Sequence, residues 1–113
     1  MKYNLEERTA KFGENIIEFV RTLKRDELNK PLVSQLTRSA TSIGANYMEA
    51  NEAVSKRDFK NKISICKKEL NETKHWLRMI AKANQDKKEK CKVFWKEAHE
   101  LTLIFAKISQ SCE

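Results

Sequence analysis

Residues Ser55–Ala83 read SKRDFKNKISICKKELNETKHWLRMIAKA. Within this stretch Phe59, Ile63, Cys66, Leu70, Thr73, Leu77 and Ile80 recur at alternating spacings of four and three. A seam with a 3.5-residue repeat lines one side of a helix, whereas side chains on a strand alternate with a period of two. Ser55 followed by Asp58 carries the hydroxyl-then-acid pattern of a helix N-terminus. The spacing therefore predicts a helix over 56–83.

The same seam appears three more times. Upstream lie Leu5, Thr9, Phe12, Ile16, Phe19 and Leu23, then Val33, Leu36, Ala40, Ile43, Tyr47, Ala50 and Val54. Downstream lie Cys91, Phe94, Ala98, Leu101, Phe105, Ile108 and Cys112. Pro31 suits a first helical position, with Asn29 or Lys30 as the cap, and Asp86-Lys87-Lys88-Glu89 offers a capping pattern before the last segment. The expected helices run over roughly 4–24, 31–54, 56–83 and 87–111 of a single domain, 1–113. The very short link at 53–56 makes the second and third helices antiparallel neighbours. The fold class is all-α, an antiparallel up-down-up-down four-helix bundle. Periodicity alone also allows two helical hairpins that open and pair with a second chain.

Composition agrees. Two glycines, one proline and 35% charged residues in 113 favour long helices over a turn-rich β fold. The net charge of +7 favours an anionic partner, against the plain alternative of a lysine-rich solvated surface. Three widely spaced cysteines without a C-x-x-C pair argue against a disulfide framework or a zinc site and fit a reducing cytoplasm. The N-terminus carries no apolar signal region, and the stretch around Leu101 to Ile108 is too short to span a bilayer.

Charges on the third helix are sorted by sign. Lys60, Lys67 and Lys74 lie seven apart on one flank. Lys68, His75 and Lys82 lie seven apart on the outward side, with Arg57 and Arg78 adjoining. Asp58, Glu69 and Glu72 fall on the opposite flank. Arg57, Lys60, Lys67, Lys68, Lys74, Arg78 and Lys82 are the candidate nucleic-acid contacts, meeting phosphates without reading bases. The plain alternative is a solvated basic face.

Apolar residues off the seams, Ile65, Trp76 and Met79 on the third helix and Val93, Trp95, Leu103 and Ile104 on the fourth, suggest a homo-oligomer contact. A wider core stripe is the competing reading. Small residues dominate the second helix, and Gly44 inside it marks a close approach of another helix.

Chemistry is sparse. Glu72-x-x-His75 matches one ligand pair of a di-iron bundle, but no second such pair exists and His75 points outward. His75 and His99 are the only histidines, no nucleophile–base arrangement is arguable, and no Gly-rich phosphate loop is present. No enzyme activity, cofactor or metal is expected. Membrane-surface binding is disfavoured, because the basic helix has no free apolar face once the bundle forms.

Gln35 to Ala50, QLTRSATSIGANYMEA, resembles the signature of the four helix bundle protein family, also called the 23S rRNA intervening sequence protein or S23 family. Phe59 to Leu77, with Glu69-Leu70-Asn71-Glu72-Thr73, looks like its second block. The family's polar signature falls here on Arg38, Ser42, Asn46, Glu49, Glu69, Glu72 and Thr73, implying a buried polar network between the second and third helices or across a subunit contact. Gly44 departs from the proline of many relatives. Members are similar in fold to the accessory variability determinant of diversity-generating retroelements, a basic pentameric barrel that binds nucleic acid and a reverse transcriptase. The resemblance thus implies a homopentamer and binding of RNA or DNA. The expected function is that of a non-enzymatic, oligomeric nucleic-acid-binding protein, with RNA first. The alternative is a protein–protein adaptor or structural oligomer, such as a reverse-transcriptase accessory subunit.

Overall fold

Each seam becomes a helix. The computed structural model describes residues 4–112. In chain order these form α1 (Leu5–Val20), α2 (Asn29–Asn51), α3 (Lys56–Ala83) and α4 (Lys88–Ser111), with a single 3-10 turn, Gln85–Lys87, ahead of α4. No strand occurs among the described residues. The helices run antiparallel in sequence, in a body 44 × 23 × 20 Å.

The core is built from the seams. Ile16, Leu36, Ile43, Ile63, Leu70, Leu77, Ile80, Leu101 and Phe105 are fully or almost fully buried. Burying each such side chain contributes about 1.5–3 kcal/mol before chain entropy is set against it. Thr9 and Thr73, the polar members of the seams, are buried with their hydroxyls satisfied. Thr9 Oγ1 donates to Leu5 O at 2.6 Å, and Thr73 Oγ1 reaches Ser39 Oγ at 2.9 Å across the α2–α3 contact. Cys66 and Cys91 are buried thiols, pushed up to about 12 and about 11 by loss of solvent.

Two glycines set the α1–α2 approach. A methyl placed on Gly13 would lie 3.6 Å from the Thr41 Cα. One placed on Gly44 would lie 3.3 Å from Thr9 Oγ1. Gly44 is therefore at a tight interhelical contact, as its place inside a helix implied. α1 and α4 instead meet through long side chains. The Phe94 ring lies 6.5 Å from that of Phe12 and 5.2 Å from that of Phe19. Arg8 grips Glu97 with two 2.8 Å bonds and reaches Glu100 at 2.9 Å, which raises the guanidinium pKa.

Several boundaries differ from the sequence expectation, each for a local reason. α1 stops at Val20, where Thr22 Oγ1 turns back to donate to Phe19 O at 2.7 Å; Leu23 stays buried from within the turn. α2 starts at Asn29 after Leu28, which offers no side-chain cap; the upstream Asp26 carboxylate accepts from Asn29 N at 2.8 Å. Pro31 sits in the first turn, where no N–H is required. α2 ends at Asn51, because Ser55 must be extended (φ −146°, ψ 160°) to cap α3 by accepting from Asp58 N at 3.0 Å. Val54 is thereby expelled from the seam and is 95% exposed. Asp86 makes no cap; it lies within the 3-10 turn, and α4 begins without a side-chain cap. Asn29 and Asn84 exchange two 2.9 Å amide bonds, tying the start of α2 to the end of α3.

Candidate nucleic-acid interface

The antiparallel pairing decides which side chains of α3 share a surface. Spacing around α3 puts Asp58, Ile65, Glu69, Glu72 and Trp76 on its α2 side, and contacts bear this out. Arg38 of α2 bonds Glu69 at 3.2 Å and also Glu72, and its pKa is raised, chiefly by Glu72. Lys62 binds Glu49 of α2 at 2.6 Å, and Asp58 lines the same cleft.

Within one chain these pairs do not form a buried network between α2 and α3. Arg38 is nearly half exposed, and Ser42 and Asn46 bond back to their own helix, at Arg38 O (2.6 Å) and Ser42 O (2.8 Å). The signature residues of α2 follow its rim, so only the Thr73 hydroxyl is truly enclosed, with Ser39, which the sequence reading did not single out.

Lys60, Lys67 and Lys74 turn the other way, toward α4. Lys74 Nζ lies 3.4 Å from His99 Nδ1 and 5.4 Å from the centre of the Trp95 indole. Burial draws the Lys74 ammonium below the ordinary lysine pKa. Arg57, Lys68, Arg78 and Lys82 are exposed beside this flank. Seven and three residues before Trp95, on the same side of α4, stand Lys88 and Lys92, and Lys96 adjoins. Lys74 meets Trp95 directly, and helical spacing puts Arg78 and Lys82 of α3 and Lys88, Lys92 and Lys96 of α4 beside the same flank. Lys92 pairs with Glu89 at 3.3 Å; among the described residues the other five have no carboxylate within ion-pair distance.

The α4 contribution was missed in the sequence, although Lys88, Lys92 and Lys96 at four-residue spacing signalled it. Arg57 and Lys60 lie toward the opposite end of α3, away from this concentration.

Of the proposed oligomer contacts, Ile104 is corrected. It is only 7% exposed and packs in the core, because the buried surface of α4 is wider than a heptad stripe where it faces α1. Trp95, Leu103 and Val93 are exposed on α4, whereas Ile65, Trp76 and Met79 are half-buried on α3. Trp95 lies beside Lys74 of the basic flank.

The Glu72 carboxylate is held by Arg38, while the His75 ring faces Trp76 at 4.9 Å, so this pair does not converge on a metal position. No group of three or more metal-ligating side chains occurs among the described residues. No helix of the described chain is long and apolar enough to cross a membrane.

A search of curated proteins finds no match. Among solved structures, the fold matches the crystal structure of a protein with unknown function from the S23 ribosomal protein family of Bacteroides thetaiotaomicron. The TM-score is 0.81 at 30% identity, over 92% of this chain and 96% of that one. The model of the 23S rRNA-intervening sequence protein family matches residues 2–107. Nearly the whole chain is covered by both, and the chain belongs to the 23S rRNA-intervening sequence protein family.

Proposed function

We propose that this chain is a non-catalytic RNA-binding protein that lays its α3–α4 face along a phosphate backbone. One observation carries the reading. The carboxylates Glu49, Glu69, Glu72, Glu97 and Glu100 are engaged by Lys62, Arg38 and Arg8 on the α2 and α1 flanks, and of the six cations of the α3–α4 face only Lys92 has a carboxylate partner among the described residues, Glu89. The family's description points to an RNA setting, so RNA is the polyanion to try first. The cations sit on two rigid helices without a base-reading loop, which favours backbone contact over sequence readout.

The test is fluorescence anisotropy with an unstructured RNA oligonucleotide. If about six phosphates are neutralised, the salt slope is about −4, and affinity falls roughly 300-fold between about 50 and 200 mM salt. Replacing Arg78, Lys82 and Lys96 by Glu should abolish binding with helicity intact. Replacing Lys11, Lys56 and Lys107 by Glu changes net charge equally and should leave most of the affinity. Equal loss in both sets refutes the assignment of the face.

A second reading, self-association, is supported by exposed Val93 and Leu103 on α4, and by Trp76, whose Nε1 is buried without an acceptor among the described residues. The resemblance points to a pentamer. Light scattering at micromolar concentration tests this, and a monomer mass rejects it. Capture of a protein partner such as a reverse transcriptase that withstands nuclease and salt would instead favour the adaptor reading.

A further inference from the structure

Trp95 is 40% exposed beside the cations of the α3–α4 face. His99, one turn along α4, lies nearly parallel to it, with ring centres 5.1 Å apart and an interplanar angle of 15°. Lys74 Nζ is 3.4 Å from His99 Nδ1 and 5.4 Å from the indole centre. These three separations cannot be met with Lys74 and His99 on opposite faces of the indole. One indole face is therefore backed by imidazole and ammonium, while part of the residue stays exposed to solvent. The backing fixes the ring, so little side-chain freedom remains to be lost on binding.

We infer that the exposed part of the Trp95 indole receives an unpaired nucleobase, so that the protein prefers single-stranded over duplex RNA. The inference rests on the RNA-binding reading above. Lysines alone attract either form, but an aromatic platform selects bases that are free to stack. The surrounding cations hold the flanking phosphates while the base lies on the indole.

The experiment compares a single-stranded RNA oligonucleotide with the corresponding hairpin duplex. The readouts are anisotropy and tryptophan emission, on wild type, Trp95→Ala and Trp95→Phe. Single-stranded RNA should quench emission in wild type and not in Trp95→Ala. Trp95→Ala should weaken single-strand binding about 5- to 150-fold, the usual range for losing one stacked base. Its salt slope and duplex affinity should be unchanged, and Trp95→Phe should retain part of the effect. An unchanged single-strand-to-duplex ratio in Trp95→Ala overturns the inference even where the Arg78, Lys82 and Lys96 reversal abolishes binding. A change of oligomeric mass on Trp95→Ala also overturns it, because the indole is then a subunit contact. Binding that survives the lysine reversal defeats the RNA-face reading itself.

Discussion

Gly13 and Gly44 face each other's helices across the α1–α2 contact, yet alanine should act differently at the two positions. In a helix interior Gly→Ala contributes about 1 kcal/mol through backbone entropy and better shielding. At Gly13 the new methyl would have Thr41 Cα at 3.6 Å and Ala40 O at 3.7 Å, ordinary contacts, so the gain should be realised in full. At Gly44 it would meet Thr9 Oγ1 at 3.3 Å, with the Ala10 and Thr9 backbone at 3.6 Å behind it. Thr9 cannot swing aside cheaply. Its buried hydroxyl donates to Leu5 O at 2.6 Å, and giving up such a bond costs about 1 kcal/mol. Loss and gain then cancel, so Gly44→Ala should be near neutral while Gly13→Ala stabilises. The gap of about 1 kcal/mol corresponds to about 4 °C in Tm for a chain of this length. Circular dichroism during urea and thermal unfolding measures it. In a Thr9→Ala background the obstructing oxygen is absent, and Gly44→Ala should regain its helix contribution. The reasoning is refuted if Gly44→Ala stabilises as much as Gly13→Ala in the wild-type background, or if removing Thr9 Oγ1 makes no difference.

Two further outcomes test the placement of buried groups. Ile104→Ala should destabilise by about 2–4 kcal/mol in urea unfolding without changing the molecular mass, because the side chain fills the monomer's own core; a change in mass with unaltered stability would return it to an interface. Stability should also fall above about pH 9. Unfolded Cys66 and Cys91 ionise near 9.0, while the folded thiols hold their protons to about 12 and about 11. Between those values the unfolded state binds fewer protons, and stability declines with pH by about 1 kcal/mol per cysteine at pH 10. Urea midpoints at pH 8 and pH 10 under reducing conditions should show the loss, and a Cys66→Ala, Cys91→Ala variant should lack that share of it.

The seams were legible because burial enforces them. Every member of the third seam except Phe59 is buried, and Ser55 caps α3 where its spacing from Asp58 placed it. The ends of α1 and α2 were harder to read, because they depend on rivals for the same backbone groups. Thr22 competes for Phe19 O, Asp26 binds Asn29 N from outside the heptad, and Ser55 needs an extended backbone that forces Val54 out. The sign sorting on α3 could be read from one helix. Which helix each flank meets could not, since that depends on pairing. Only with α4 laid antiparallel against α3 do Lys88, Lys92 and Lys96 come to the same flank as Lys74, Arg78 and Lys82, with Lys74 against Trp95. Ile104 was misplaced because a strict heptad is narrower than the surface that α4 buries.

A net charge of +7 understates what a phosphate meets at this surface. At physiological salt, charges beyond about 8 Å are largely screened, and the body is 20–23 Å across, so carboxylates on the α1 and α2 flanks do little to offset lysines on the α3–α4 face. Those carboxylates are also engaged locally, Glu97 and Glu100 by Arg8 and Glu69 and Glu72 by Arg38. Exposed pairs of this kind contribute at most about 1 kcal/mol each, and crowding lysines together on another face is unfavourable for the monomer. Dispersing the acids among the lysines would serve the isolated fold as well or better. Stability therefore gives no reason for the sorting, whereas the proposed anionic partner would, because each phosphate that a lysine neutralises releases condensed counterions.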